Sequence, residues 1–193
     1  MAERLERLIL VRHGETEGQS SIRYYGATDI PLSDLGREQV RRAGERLAGE
    51  VFEVVYTSSL SRASESARML APDRPIRVEA DFREVDFGRW EGLTREEIAV
   101  RDPELFDVWQ RDLARFDYPG GEPRAEFRAR IARGLDRLRE SGASSALVVA
   151  HKGVVRTLVE LVSGEKLAGT EPELGGIIHV ERDALSRWRS GKP

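Results

Sequence analysis

Apolar positions along this chain follow two periods, and the places where one gives way to the other mark the elements. Leu8-Ile9-Leu10-Val11 is an unbroken apolar run, branched at Ile9 and Val11, and Ala146-Leu147-Val148-Val149-Ala150 is a second. Runs this short, with no polar residue inside, predict parallel strands buried on both faces. Residues 51–56 predict a further strand and Ile76-Arg77-Val78 a short one. Between them the period lengthens. Leu32, Leu35, Val40, Ala43 and Leu47 recur at helical spacing around Ser33, a good N-cap, and predict a helix over 34–48 with Gly49 as its stop. A second helix is expected over 60–70, with Pro72 after it. Strand, helix, strand, helix, strand is the βαβ alternation of a parallel sheet with right-handed crossovers.

The pattern then changes. Residues 81–93 are irregular, with Gly88, Gly92, Phe82, Phe87 and Trp90 among them. Thr94 caps a helix over 95–100, with Glu97 completing a capping box, and Pro103 starts another to about residue 115. After Pro119-Gly120-Gly121 a long helix is expected over 123–140, its apolar face set by Phe127, Ile131, Leu135 and Leu138. Residues 94–122 read as a small helical cap inserted between sheet strands. Beyond the second buried run, residues 154–162 predict a helix, and Gly176-Ile177-Ile178-His179-Val180 with Leu185-Ser186-Arg187-Trp188 a terminal hairpin turning at Arg182-Asp183. The expected fold is α/β: a three-layer sandwich with a mostly parallel central sheet, helices on both faces and the cap, all in one domain spanning 1–193. No repeat or linker is evident.

Composition narrows the function classes. The 193 residues carry 31 basic and 34 acidic side chains, a net charge of -3, which gives no field-level argument for nucleic acid or an anionic membrane. Cysteine is absent, so disulfides, thiolate catalysis and thiolate metal sites are excluded. The three histidines, His13, His151 and His179, lie far apart without zinc-binding spacing, and no metal or other cofactor is expected. No apolar stretch reaches membrane-spanning length and Met1-Ala2-Glu3-Arg4-Leu5-Glu6 is charged, so a cytoplasmic protein is the expectation.

The chemistry gathers where the buried strands end. Arg12-His13-Gly14-Glu15-Thr16 follows the first apolar run directly, and His151-Lys152-Gly153 follows the second. In open α/β sheets the ligand crevice lies outside the carboxyl ends of the strands. Gly14 is expected to let the backbone turn there. A guanidinium beside an imidazole suits a phosphate, since the cation binds the anion and the imidazole can attack it. A third strand delivers Ser58 and then Arg62 on the first helical turn. Each residue alone has a plain structural reading, a satisfied strand-end histidine or a solvated arginine. If the two strands are neighbours, both imidazoles and both guanidiniums meet in one anion pocket.

Five blocks extend the pattern. They are Arg12-His13-Gly14-Glu15-Thr16; Tyr25-Gly26-Ala27-Thr28-Asp29-Ile30-Pro31-Leu32-Ser33 with Gly36; Thr57-Ser58-Ser59-Leu60-Ser61-Arg62-Ala63; Arg83-Glu84-Val85-Asp86-Phe87-Gly88 with Trp90-Glu91-Gly92; and Ala150-His151 through Arg156. In these the chain resembles the histidine phosphatase superfamily, which includes cofactor-dependent phosphoglycerate mutases and many phosphatases, over nearly its whole length. The resemblance implies that His13 is the nucleophile, its other ring nitrogen donating to a backbone carbonyl, and that Arg12, Arg62 and His151 hold the phosphoryl oxygens. It implies that Glu84 is the general acid and then the base, partly desolvated, with Phe87 and Trp90 available for that. Gln19, Tyr25, Gly26 and Lys152 are the expected substrate-binding residues. Two of these depart from the family pattern: Gln19 stands where Asn is usual, and Lys152, where Gly is common, either adds a cation at the pocket rim or points to solvent. Pro119-Gly120-Gly121-Glu122 resembles a loop of the phosphatase branches, with Pro123 for the usual Ser; Glu122 either faces the substrate or favours the following helix's N-terminus, the safer reading. Trp109, Phe116 and Tyr118 are expected to pack the cap.

The family's mutases carry a basic insert after the Glu block; here Arg95, Arg101, Arg111 and Arg115 are offset by Glu96, Glu97, Asp102, Glu104, Asp107 and Asp112. A phosphomonoesterase acting on a small phosphorylated substrate is therefore favoured, most like α-ribazole phosphatases. The alternatives are a cofactor-dependent phosphoglycerate mutase and a non-catalytic sensor of phosphorylated ligands. A homodimer, paired through an edge strand or an exposed helix, stays open.

Overall fold

The structure is a computed structural model and describes residues 5–113, 115–169, 171–183 and 187–191. Its strands are β1 (Arg7–Arg12), β2 (Val54–Thr57), β3 (Ile76–Val78), β4 (Ser145–Ala150), β5 (Ile177–Arg182) and β6 (Trp188–Gly191). Among the described residues they form one sheet in the order β3-β2-β4-β1-β5-β6. The pairs β1–β4, β2–β4 and β2–β3 are parallel, and β1–β5 and β5–β6 antiparallel. The helices are α1 (Asp34–Arg46), α2 (Ser61–Leu70), α3 (Arg95–Arg101), α4 (Pro103–Arg111), α5 (Arg124–Glu140) and α6 (Lys152–Ser163).

Alternation along the two central strands builds the layers, because successive side chains leave opposite faces. Ile9, Val11, Leu147 and Val149 pack with Ala43, Leu47 and Ala67 of the α1–α2 side. Leu8, Leu10, Ala146, Val148 and Ala150 pack with Ile131, Leu135, Val155 and Leu158 of the α5–α6 side. That second core runs on without a break into Ile98, Trp109, Phe116 and Tyr118 of residues 94–122. There Trp90 stacks on Phe116 and meets Trp109 edge-on, so the cap aromatics pack as expected. The caps follow the sequence too: Ser33 Oγ accepts from the Gly36 N–H, and Thr94 and Glu97 form the capping box.

Several boundaries differ from expectation. β2 begins at Val54, three residues late, because its ladder with β4 starts at the Val54–Ala146 pair and Val51 is exposed. α4 ends at Arg111 and α6 begins at Lys152. Arg182, expected in the turn, still pairs with Trp188 in the ladder, the Asp183 N–H donates to the Arg187 carbonyl, and the second strand is Trp188–Gly191. Of the residues assigned to that strand, Leu185 and Ser186 lie outside the described residues, as do Met1 to Arg4. Among the described residues no helix is long and apolar enough to cross a membrane.

Gly14 has a different reason for being glycine from the expected sharp turn, since its φ is not in the left-handed region. The loop after β1 lies directly on the first turn of α1. A Cβ on Gly14 would sit 2.2 Å from the Gly36 carbonyl oxygen, and one on Gly36 1.9 Å from the Glu15 carbonyl oxygen. This contact fixes the height of His13 over the sheet. Helix propensity alone makes Gly→Ala in a helix worth about 0.5–1 kcal/mol of added stability. For Gly36→Ala we expect the opposite sign, a loss of about 1–3 kcal/mol from overpacking, measured by urea unfolding. A more stable variant would show that the loop does not rest on α1.

Candidate active site

β1 and β4 run parallel in register, with Arg12 opposite Ala150. The residues that follow, His13 and His151, therefore leave the sheet side by side, and the His13 N–H extends the ladder to the Ala150 carbonyl at 3.0 Å. Their rings lie 5.1 Å apart, edge to face. Both are buried, His151 completely.

The polar partners set which nitrogen carries the proton. His13 Nδ1 lies 2.6 Å from the Gly14 carbonyl, which can only accept, so Nδ1 carries the proton and Nε2 keeps its lone pair. His151 Nε2 lies 2.8 Å from Ser58 Oγ. Ser58 Oγ also accepts from the Leu60 N–H at 3.2 Å. His151 Nδ1 is buried without a hydrogen-bond partner among the described residues. Burial first, and the positive charges of Arg62 and Arg12 after it, hold the pKa of both imidazoles well below 6.5. His13 and His151 are thus neutral at physiological pH.

Arg62, at the start of α2, is fully buried. Among the described residues no carboxylate pairs with it. Its Nη1 donates to the Thr28 carbonyl at 2.9 Å and Nη2 to those of Tyr25 and Gly26 at 3.2 and 2.8 Å. Arg12 Nη1 donates to the Pro172 carbonyl at 3.1 Å. The Nε atoms of both arginines are buried without a partner among the described residues. Burial lowers both guanidinium pKa values, Glu84 opposing it most in each, and a guanidinium keeps its charge through such a change.

Glu84 is buried against the N-terminus of α6. Its Oε1 accepts from the Val85 N–H at 3.0 Å and its Oε2 from the Gly153 N–H at 2.9 Å. Phe127 and the Glu84 carboxylate both lie close to the Gly153 backbone, and Phe87 and Trp90 pack against Tyr118 among the cap aromatics. Gly153 must be glycine for the carboxylate to fit: a Cβ there would lie 2.4 Å from Glu84 Oε1.

Placement of the expected substrate-binding residues is mixed. Lys152 is half-buried, and burial first, then Arg12 and Arg156, lower its pKa while Glu84 raises it. Gln19 is exposed, in the left-handed region at φ 62°, a conformation that the usual Asn adopts more readily. Gly26 is tied into the fold on both sides: its N–H donates to Glu91 and its carbonyl accepts from Arg62. Tyr25 likewise gives Arg62 its carbonyl. Glu122, just before the first turn of α5, pairs with Arg130 on both oxygens, at 2.6 and 2.8 Å, a partner the sequence did not suggest.

Sequence reasoning quoted Glu91 in a motif but gave it no task. Its carboxylate accepts from the N–H groups of Gly26, Ala27, Thr28 and Phe87. The same loop turns its carbonyls to Arg62. One set of peptide groups thus joins an acid and a base that do not touch.

Two neutral imidazoles and two guanidiniums at the carboxyl end of a mostly parallel sheet are suited to holding a tetrahedral anion against a ring nitrogen. That is the layout of an enzyme of phosphoryl chemistry. The chain belongs to the histidine phosphatase superfamily (branch 1), whose sequence pattern matches residues 8–182. It is 40% identical over 162 residues to a bifunctional protein of Mycobacterium tuberculosis, a match covering 80% of this chain but 43% of that protein. The chain thus spans less than half the length of that relative. It is 33% identical over 161 residues to the adenosylcobalamin/alpha-ribazole phosphatase of Escherichia coli, covering 82% of this chain and 79% of the relative. The structure of a mycobacterial glucosyl-3-phosphoglycerate phosphatase superposes with a TM-score of 0.80 at 26% identity, over 97% of each chain.

A depressed histidine pKa has a consequence for stability. As pH falls past 6.5 the unfolded chain takes up protons that the folded chain refuses, so the folded state loses ground until its own, lower pKa is reached. Each imidazole contributes a slope of about 1.4 kcal/mol per pH unit in that window. His179 is shifted the same way, burial being the main cause. Urea unfolding at about pH 7.5 and about pH 5.5, a range in which few other side chains titrate, should show the fall. Equal stability at the two would mean that the rings are not held neutral.

Proposed function

We propose that this protein is a phosphomonoesterase that works without a metal ion, through a phosphohistidine, on a small phosphorylated metabolite. The observation that carries the reading is the His13–His151 pair, 5.1 Å between ring centroids, with the buried Arg62 and the half-buried Arg12, whose Nε atoms have no partner among the described residues. In this reading Arg12, Arg62 and His151 hold the three non-bridging oxygens and supply the charge that a divalent cation supplies in other phosphoryl-transfer sites. His13 Nε2 attacks phosphorus while the ester P–O bond breaks. Glu84 gives its proton to the departing alkoxide. It then takes one from water, whose oxygen attacks phosphorus, breaks the P–N bond and releases phosphate.

The cap supports hydrolysis over mutase chemistry. Arg95 lies over the Phe106 and Trp109 rings and donates to Gln110, and Arg115 pairs with Asp112. Arg95 is thus engaged within the cap, and Arg115 stands exposed beside an acidic side chain of its own loop, which favours no clamp for a second anionic end. The relatives' names, adenosylcobalamin/alpha-ribazole and glucosyl-3-phosphoglycerate phosphatase, support a small phosphorylated metabolite and differ in which one. Lys152 and Gln19 are the groups at the rim that would meet the remainder of the substrate.

Turnover of p-nitrophenyl phosphate should be unaffected by EDTA. Intact-mass measurement after mixing with substrate should show one acid-labile phosphoryl adduct on the wild type and none on His13→Ala. Undiminished hydrolysis by His13→Ala would overturn the reading. Interconversion of phosphoglycerates outpacing ester hydrolysis would replace it with a mutase, and tight ester binding without turnover with a sensor.

A further inference from the structure

Helix α5 grips the segment that carries Glu84 through three residues of one face, Arg130, Gly134 and Arg137. Arg137 donates to both oxygens of Glu79, at 2.7 and 2.8 Å, and pairs with Asp81. The Gly134 backbone lies so close that a Cβ would come within 2.6 Å of the Phe82 ring. Arg130 is buried and uses every hydrogen it has. Nη1 donates to the carbonyls of Asp81 and Arg83, both at 2.6 Å, and Nη2 to that of Glu84 at 3.0 Å. Nε and the remaining Nη2 hydrogen go to the two oxygens of Glu122. A guanidinium has five N–H donors in a rigid plane, and all five are taken. Glu122 also reaches the other side of the acid, its N–H donating to the Asp86 carbonyl at 3.0 Å.

A buried ion pair of this kind is not needed for stability, because apolar side chains of the same volume commonly do as well. What the planar fork provides is geometry: three carbonyls, one of them that of Glu84 itself, are fixed relative to one another. The carboxylate end is fixed separately by the Val85 and Gly153 N–H groups. We propose that Arg130, with Glu122 as its counter-ion, is the positioning residue for Glu84, setting the backbone from which the carboxylate reaches the leaving-group oxygen. This rests on the reading of Glu84 as the general acid.

The leaving group supplies the test. An alkoxide needs a proton to depart, whereas p-nitrophenolate leaves without one. A displaced acid is therefore felt on alkyl phosphates and hardly at all on p-nitrophenyl phosphate. Arg130→Lys keeps the charge and loses the fork. Its kcat/KM on β-glycerol phosphate should fall by about 10²-fold, the cost of a misplaced catalytic group, and on p-nitrophenyl phosphate by only about 2-fold to 3-fold. Glu122→Gln, which leaves the three carbonyl contacts in place, should show a smaller change of the same kind, and it stands in for Arg130→Lys if that variant does not fold. Glu84→Gln is the reference. If it is selective for alkyl phosphates while the Arg130 and Glu122 variants lower both substrates equally, the positioning role is overturned and the acid role stands. If Glu84→Gln lowers kcat/KM equally on both substrates, both fall; kcat also carries the shared water step for which Glu84 is the base.

Discussion

The parallel register of β1 on β4 is the constraint from which the rest of the structure follows. Arg12 opposite Ala150 makes the next residue of each strand an imidazole, and the two rings meet 5.1 Å apart. A slip of one residue would turn every side chain of one strand to the other face, exchanging Leu8 and Leu10 for Ile9 and Val11 against the α5–α6 side. Both faces are buried, so such a slip would break two cores at once. The apolar runs that make the strands central therefore also align the chemistry at their ends.

The price of that placement is electrostatic. Two guanidiniums and two imidazoles share a buried space, and the imidazoles answer by staying neutral. The guanidiniums cannot. They stay charged at the carboxyl end of the sheet, where a bound anion would offset them. Neutral rings serve the same end: a protonated His13 would have no lone pair for phosphorus.

What the sequence made legible depended on distance along the chain. Arg12-His13, His151 and Ser58 to Arg62 stand where an apolar run meets polar residues, so the sheet rule alone points to them. The caps at Ser33 and Thr94 were equally plain, being local hydrogen bonds. The second layer was hidden because tertiary packing creates it. Arg130 sits next to Ile131 in a helix whose apolar face was read correctly, and nothing in the 3.6 period says that a charged neighbour is buried too. Gly26 was legible as part of a block that carries the family pattern, and only the fold shows its carbonyl turned to Arg62. The length of β2 was misjudged for a similar reason: Val51 and Phe52 read as strand, but the partner strand reaches only to Val54.

A single principle connects the two layers. Arg62 is held by carbonyls and Glu84 by N–H groups, and neither is neutralised by a direct counter-ion. Glu84 and Arg62 feel each other across the pocket without a hydrogen bond, and a further opposite charge stands one step behind each. Glu91 acts on Arg62 through the peptides of residues 26–28, and Arg130 acts on Glu84 through the carbonyls of residues 81–84. A salt bridge at either group would satisfy its donors or acceptors but cancel its charge. Peptide dipoles satisfy the same hydrogen bonds and leave the charge intact. The cation that must bind phosphate and the carboxylate that must exchange a proton are thereby fixed in place while their charges stay available to the substrate.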